Sequence, residues 1–275
     1  MTHEEELYMK KIKVLSIFAG LFLMTNLLSA QSAEEIMKKS KTLPCPEYSI
    51  GTLIMDIIDK NGTVLEHRIL NEIGDEKESL RHVVFDFRSP ASVKDTRILQ
   101  AEKMGRDDEK WIFLPSLKTT RRIANAERSK SFVGSEFTYN DMTVRKFEDD
   151  AYEMLDENVT MDIGGKSERL WKIKETPVAK KNVEYTYLIR YIDKVSYLPL
   201  LEEYYDKNGK LIKLRSITKH EEVTSESGKK YWLRRENIME NKVTGRTTRV
   251  AVDKMTFDKP ISERYFTQNW LNTGK

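Results

Sequence analysis

His67, His82 and His220 are the side chains that a neutral-pH general base would be drawn from, since His3 falls in the leader described below. None has the H-E-x-x-H spacing that seats two imidazoles on a metal, and no G-x-S-x-G elbow presents a nucleophilic serine. Gly164-Gly165-Lys166-Ser167 imitates the end of a phosphate-binding loop, but the first glycine of that motif would fall at Thr160, so the four residues read as a hairpin turn. Glu148-Asp149-Asp150 supplies carboxylates of the kind that cleave glycosides, although adjacent acids are more simply a solvated face. Cys45, between Pro44 and Pro46, is the single cysteine and has no partner for an intrachain disulfide. It reads as a half-exposed structural thiol, with a reactive or intermolecular role as the alternative. The chain is therefore expected to be no enzyme and to need no cofactor or metal. A secreted hydrolase is the minor alternative.

The elements that must carry any site read almost entirely as strand. Lys10, Lys11 and Lys13 precede an apolar run from Val14 to Leu28 and small residues at Ser29 and Ala30, the pattern of an export leader cut after Ala30. The acidic start before Met9 fits that pattern poorly, so translation is expected to begin at Met9. Ser32 and Glu35 have capping-box spacing and open one short helix. Beyond Pro46, Asn61-Gly62 and Asn208-Gly209 mark hairpins in which both turn positions favour positive φ, and Gly164-Gly165, Ser227-Gly228 and Thr244-Gly245 mark further turns. Between Val183 and Asp193, Tyr185, Tyr187, Ile189 and Tyr191 alternate with Glu184, Thr186, Leu188 and Arg190, which predicts an antiparallel strand with one greasy and one wet face. No linker separates two domains, so residues 31–275 are expected to form one. A net charge of +3, spread over the whole chain, makes no basic face for nucleic acid.

The segment from Asn125 to Met142 breaks the strand rhythm: it is studded with Ser, Gly and Asn, yet carries Phe132, Phe137, Tyr139 and Met142. Together with the stretch before it, KWIFLPSLKTTRRIANAERSKSFVGSEFTYNDM closely resembles the outer-membrane lipoprotein-sorting proteins, the LolA-like carriers. The likeness rests on Trp111 and Phe113, Leu114-Pro115, Arg121-Arg122-Ile123, and the loop from Ser131 to Asp141. It continues through YIDKVSYLPLLEEYYDKNGKL and TGRTTRVAVDKMTFDKPISERYFTQNWL. Glu136 stands where Asp is more usual and Met142 where Leu is.

The resemblance implies a mainly β fold, an open, unclosed antiparallel barrel whose concave apolar face is covered by helices and loops. It also implies acyl chains held in that hollow, by a monomeric periplasmic carrier working between an inner-membrane exporter and an outer-membrane acceptor. Related folds act as regulatory sensors that grip a partner protein, which is the second reading. Such sensors usually carry a further domain after the half-barrel, so the chain's end at Asn272-Thr273-Gly274-Lys275 favours the carrier. Trp111, Phe113, Leu114, Phe132, Phe137, Tyr139 and Met142 are the expected cavity and lid. In the alternation Trp111 and Phe113 share one face and Ile112 and Leu114 the other, one pair lining the hollow and one packing under a helix. The loop's Gly and Ser residues would let it move. Arg121 and Arg122 point to opposite sides, toward lipid oxygens or a partner's acidic surface, or into a surface ion pair with Glu127 or Glu136.

Overall fold

Turn chemistry sets the strand order. Asp59 accepts the amides of Asn61 and Thr63 at 2.8 Å each, and Asp206 treats Asn208 and Lys210 alike at 2.8 and 2.9 Å. In each turn only the glycine, Gly62 or Gly209, has positive φ. The expected pair of left-handed residues is thus replaced by an Asp-anchored turn closed by a single left-handed glycine, because the carboxylate organises the first half of the loop.

The computed structural model describes residues 31–178 and 183–275, and the expected leader lies outside them. Helix α1 (Ala33–Lys41) leads into a first meander, β1 (Tyr48–Ile58), β2 (Val64–Lys77), β3 (Leu80–Ser89), β4 (Arg97–Ala101), β5 (Glu109–Leu114) and β6 (Thr119–Arg122). A second meander follows: β7 (Asp150–Ile163), β8 (Lys166–Pro177), β9 (Tyr187–Asp193), β10 (Pro199–Tyr205), β11 (Leu211–Thr224), β12 (Lys230–Asn241) and β13 (Thr247–Phe257), then a short helix α2 (Gln268–Thr273). All thirteen strands form one antiparallel sheet in the order β6-β5-β4-β3-β2-β1-β13-β12-β11-β10-β9-β8-β7. The two meanders meet where β1 pairs with β13, and β6 and β7 remain as unpaired edges.

This topology dictates what residues 123–149 must do. Every other connection between described strands joins neighbours in the sheet, whereas this one joins its two opposite edges. The chain has to cross a face, and it crosses the inside of a curved one. Ile98 of β4 and Tyr204 of β10 belong to one buried cluster, though seven strand steps would hold them roughly 34 Å apart in a flat sheet. The crossing segment is apolar because it spans that hollow.

Register assigns the faces. Leu53 opposes Leu70, Leu70 opposes Phe87, Phe85 opposes Ile98, and Ile98 opposes Ile112, so these line the concave side. Ile50, Ile73, Val84, Leu99, Trp111 and Phe113 alternate with them and pack on the convex side with Trp270 and Leu271 of α2. Helix α1 buries Ile36 and Met37 against Ile173 and Ile192 near the β7 edge. In β9 the greasy set departs from expectation: Ile189 and Tyr191 join a cluster with Leu170 and Leu201, while Leu188 and Arg190 point inward to Tyr204 and Glu202. The barrel's interior is therefore not its greasiest surface at that strand.

Candidate functional site

The crossing loop fills the apolar half of the hollow. Phe132 is 1% exposed, Phe137 4% and Tyr139 9%, and all three belong to the cluster that contains Leu53, Leu70, Phe87, Ile98 and Ile112. Phe132 makes edge contacts with Phe85 and Tyr139, at ring-centroid distances of 5.4 and 5.7 Å, and lies 6.1 Å from Phe87. Met142 and Leu114 pack at the margin of the same cluster. The sequence pattern therefore brings Leu114, Phe132, Phe137, Tyr139 and Met142 together, and places Trp111 and Phe113 elsewhere. Those two face α2, because strand alternation gives Ile112 and Leu114 the inner side.

The loop is a small self-closed unit. The Phe132 amide donates to the Phe137 carbonyl at 2.7 Å, the Ser135 hydroxyl to the Phe132 carbonyl at 2.7 Å, and the Ser131 hydroxyl to the Ser135 carbonyl at 2.6 Å. Asp141 accepts both the amide and the hydroxyl of Thr138, at 2.7 and 2.9 Å. The serines expected to loosen the loop hold it closed instead. Val133 and Gly134 both take positive φ at its tip, where Gly134 does so without strain.

Its fastenings to the sheet are polar. Arg68 of β2 donates to the Val133 carbonyl at 2.6 Å, the Glu136 amide to Thr248 of β13 at 2.9 Å, and Asn241 of β12 to the Glu136 carboxylate at 2.8 Å. Lys213 of β11 pairs with Asp141 at 3.0 Å and Arg246 with Glu136 at 3.1 Å. At the loop's root, Arg128 pairs with Asp108, and Lys110 is held by Asp108 at 2.9 Å, Gln100 at 2.6 Å and Thr143 at 2.6 Å. Burial pushes the Lys110 ammonium down to about 8 despite Asp108 opposing it. Glu136 thus uses both its amide and its carboxylate to seat the loop.

Arg121 and Arg122 do point to opposite sides, opposite Ile112 and Trp111 respectively. Arg121, with a side chain 47% exposed, bonds Glu127 at 2.7 Å, the surface pair weighed from sequence. Arg122 comes no nearer than 3.9 Å to Glu109.

Sequence reading missed the hollow's second half. Toward β7, the interior is lined by Glu175, Arg190, Glu202 and Arg215. Lys41 of α1 reaches in to Asp150 at 3.0 Å and Glu175 at 3.1 Å. Burial opposes ionisation of Glu175, but Arg190 and Lys41 prevail and hold its carboxyl down to about 2. The signal was present in Arg190, a cation inside the otherwise apolar run from Tyr187 to Ile192. A separate cleft of about 390 Å³ lies on the convex side beside α2, between Ile50, Ile73, Asp86, Arg88, Tyr265 and Trp270. Among the described residues no helix is long and apolar enough to cross a membrane.

A family model described as "-like: Uncharacterized protein" matches residues 80–273. No curated protein matches the chain by comparison. Among solved structures, it is similar to an outer membrane lipoprotein-sorting protein domain from Vibrio parahaemolyticus at 27% identity and TM-score 0.76, covering 87% of this chain and 98% of that one. It shares its fold with a DUF1329 family protein from Desulfovibrio piger, at 20% identity, TM-score 0.76, and 87% and 97% coverage. It also shares it with a LolA superfamily protein from Nitrosomonas europaea, at 16% identity, TM-score 0.62, and 88% and 100% coverage.

Proposed function

The chain belongs to the family matched over residues 80–273 and has a LolA-like fold similar to that of an outer membrane lipoprotein-sorting protein domain, and from that premise we propose that it is a periplasmic carrier. It shelters the acyl chains of lipoproteins, or another hydrophobic cargo, between an inner-membrane exporter and an outer-membrane acceptor. The observation that carries this reading is the construction of the plug: an apolar loop buried in the hollow and tied to the sheet by polar bonds.

Magnitudes support exchange. Burying three aromatic side chains stabilises the closed loop by roughly 5–9 kcal/mol. An acyl chain of about sixteen carbons gains ~12 kcal/mol on leaving water. One chain therefore roughly balances the plug once its polar bonds are broken, and two displace it. When the cargo departs, the aromatics return and keep the apolar strands from water. A carrier needs that near-balance, since a hollow that only bound would never release.

Native mass spectrometry of the protein purified from the periplasm tests the reading. Acyl-bearing species released from the intact protein are the expected result. Recovery of only a stoichiometric folded protein partner, with no lipid, would replace the carrier by the sensor.

A further inference from the structure

Neighbouring strands of the sheet run in opposite directions, so the turns alternate between its two ends. Pairing of Ile58 with Thr247 puts the turns at 59–63 and 242–246 at one end, together with those at 90–96, 115–118 and 206–210. The turns at 78–79, 102–108, 164–165, 194–198 and 225–229 lie at the other. Charge divides unevenly between these described turns: the first group holds seven cations and three acids, the second four cations and five acids. A modest net charge of +3 is thus gathered at one end once the sheet has formed.

Three turns of the cationic end are close neighbours. A Cβ on Gly245 would lie 3.0 Å from the Lys60 Cβ, and the Lys242 amide donates at 2.9 Å to the carbonyl of Ile212, just past the 206–210 turn. Lys242 pairs with Glu240 at 2.5 Å and Arg246 with Glu136 at 3.1 Å, whereas Lys60, Lys94, Lys118, Lys207 and Lys210 make no ion pair among the described residues. Asp59 and Asp206 turn their oxygens to backbone amides. Exposed aliphatic side chains stand among the lysines: Leu117 and Val243 on the turns, Val64 and Leu65 just after one. The other end also exposes Met104 and Val195, but without the excess of cations. Glu136 of the crossing loop is held by Asn241, Arg246 and Thr248, which flank the 242–246 turn, so the plug is fastened at the cationic end.

Free lysines with aliphatic neighbours suit an anionic bilayer, whose surface potential attracts each ammonium and whose headgroup layer admits short apolar side chains. Protein interfaces are instead enriched in Arg and depleted in Lys, and the one arginine on these turns, Arg246, is already held by Glu136. We propose that this end of the sheet is a docking surface for an anionic lipid bilayer. The proposal deepens the carrier reading and rests on it: docking brings the fastened end of the plug to the membrane that supplies or accepts the hydrocarbon.

The protein purified from the periplasm would be co-sedimented with vesicles of phosphatidylglycerol and of phosphatidylcholine over a range of salt. It is expected to bind the phosphatidylglycerol vesicles, less so as salt rises. The triple variant Lys60→Gln, Lys207→Gln, Lys210→Gln should weaken that binding about tenfold. The matched variant Lys103→Gln, Arg106→Gln, Lys229→Gln lowers the net charge equally at the other end and should leave binding unchanged. All six side chains lie on turns, so both variants should keep the parent's thermal midpoint. Equal binding to the two lipids, or equal losses in the two variants, overturns the docking surface and leaves the carrier reading to native mass spectrometry. Binding to neither vesicle overturns it in favour of an acidic protein partner. Binding to phosphatidylglycerol that only the first variant loses, by a protein that yields no acyl-bearing species, keeps the docking surface and overturns the carrier.

Discussion

Ile112 and Phe113 are consecutive in β5 and belong to different interiors. Ile112 packs in the cluster that holds Phe132 of the crossing loop, and Phe113 packs in the cluster that holds Trp270 of α2. The Arg97 guanidinium sits between Phe113 and Trp270, 5.4 and 5.6 Å from their ring centroids, and donates to the Leu271 carbonyl at 3.0 Å. One strand thus serves the concave hollow with one side and the clasp of the C-terminal segment with the other.

That division is testable by paired substitution. Ile112→Thr puts a hydroxyl among apolar groups, costs about 1–3 kcal/mol, and should weaken capture of a fluorescent fatty acid severalfold. Phe113→Leu should cost about 1 kcal/mol and leave capture unchanged. Denaturant melts and fatty-acid titration of both variants provide the check, and an identical binding defect in the two would contradict the face assignment.

Phe132→Ala separates a plug from a wall. Losing this buried ring should cost about 3–4 kcal/mol of stability. If the ring competes with cargo, the same change should tighten fatty-acid binding about tenfold. A fixed wall would instead lose affinity along with stability, which titration of the folded variant would reveal.

The seam between the meanders depends on Gly51. A Cβ there would lie 2.3 Å from the Lys254 carbonyl oxygen and 2.6 Å from the Met255 sulfur. Gly51→Ala should therefore cost about 3 kcal/mol or more, by forcing β1 and β13 apart. Gly165→Ala meets no atom within 4 Å at φ +82° and should cost only about 1–2 kcal/mol. Thermal melts that ranked the two in the reverse order would place the seam elsewhere.

Acid should loosen the charged half first. The Glu175 carboxyl is held down to about 2 against an ordinary value of 4.5, so the folded state binds its proton less readily than the unfolded chain. Its contribution is complete above about 4.5 and is lost as pH falls toward about 2. Glu175→Gln should lower stability by about 3 kcal/mol at neutral pH, since Arg190 and Lys41 lose their partner. The gap between parent and variant should close as pH falls through that window, and a gap that stayed constant in pH-dependent melts would refute the assignment.

Much of this was legible in the linear chain. Asn61-Gly62, Gly164-Gly165, Asn208-Gly209, Ser227-Gly228 and Thr244-Gly245 each fall between paired strands, because tight turns need local residue types that no distant contact supplies. The unclosed antiparallel sheet also follows the sequence expectation. Alternation along β5 gave two pairs of residues, Trp111 with Phe113 and Ile112 with Leu114, but period two has no sign. It says which residues share a face and is silent on which face is inside.

Only the tertiary structure decided that sign, through the curvature of thirteen strands and the single segment that crosses between the sheet's edges. Tertiary folding also brought Lys41 of α1 onto Asp150 and Glu175, 109 and 134 positions further along the chain. Local sequence fixes turns and pairing because their energies act over a few residues. Burial and charge crowding act through space, and their geometry exists only once the sheet has bent.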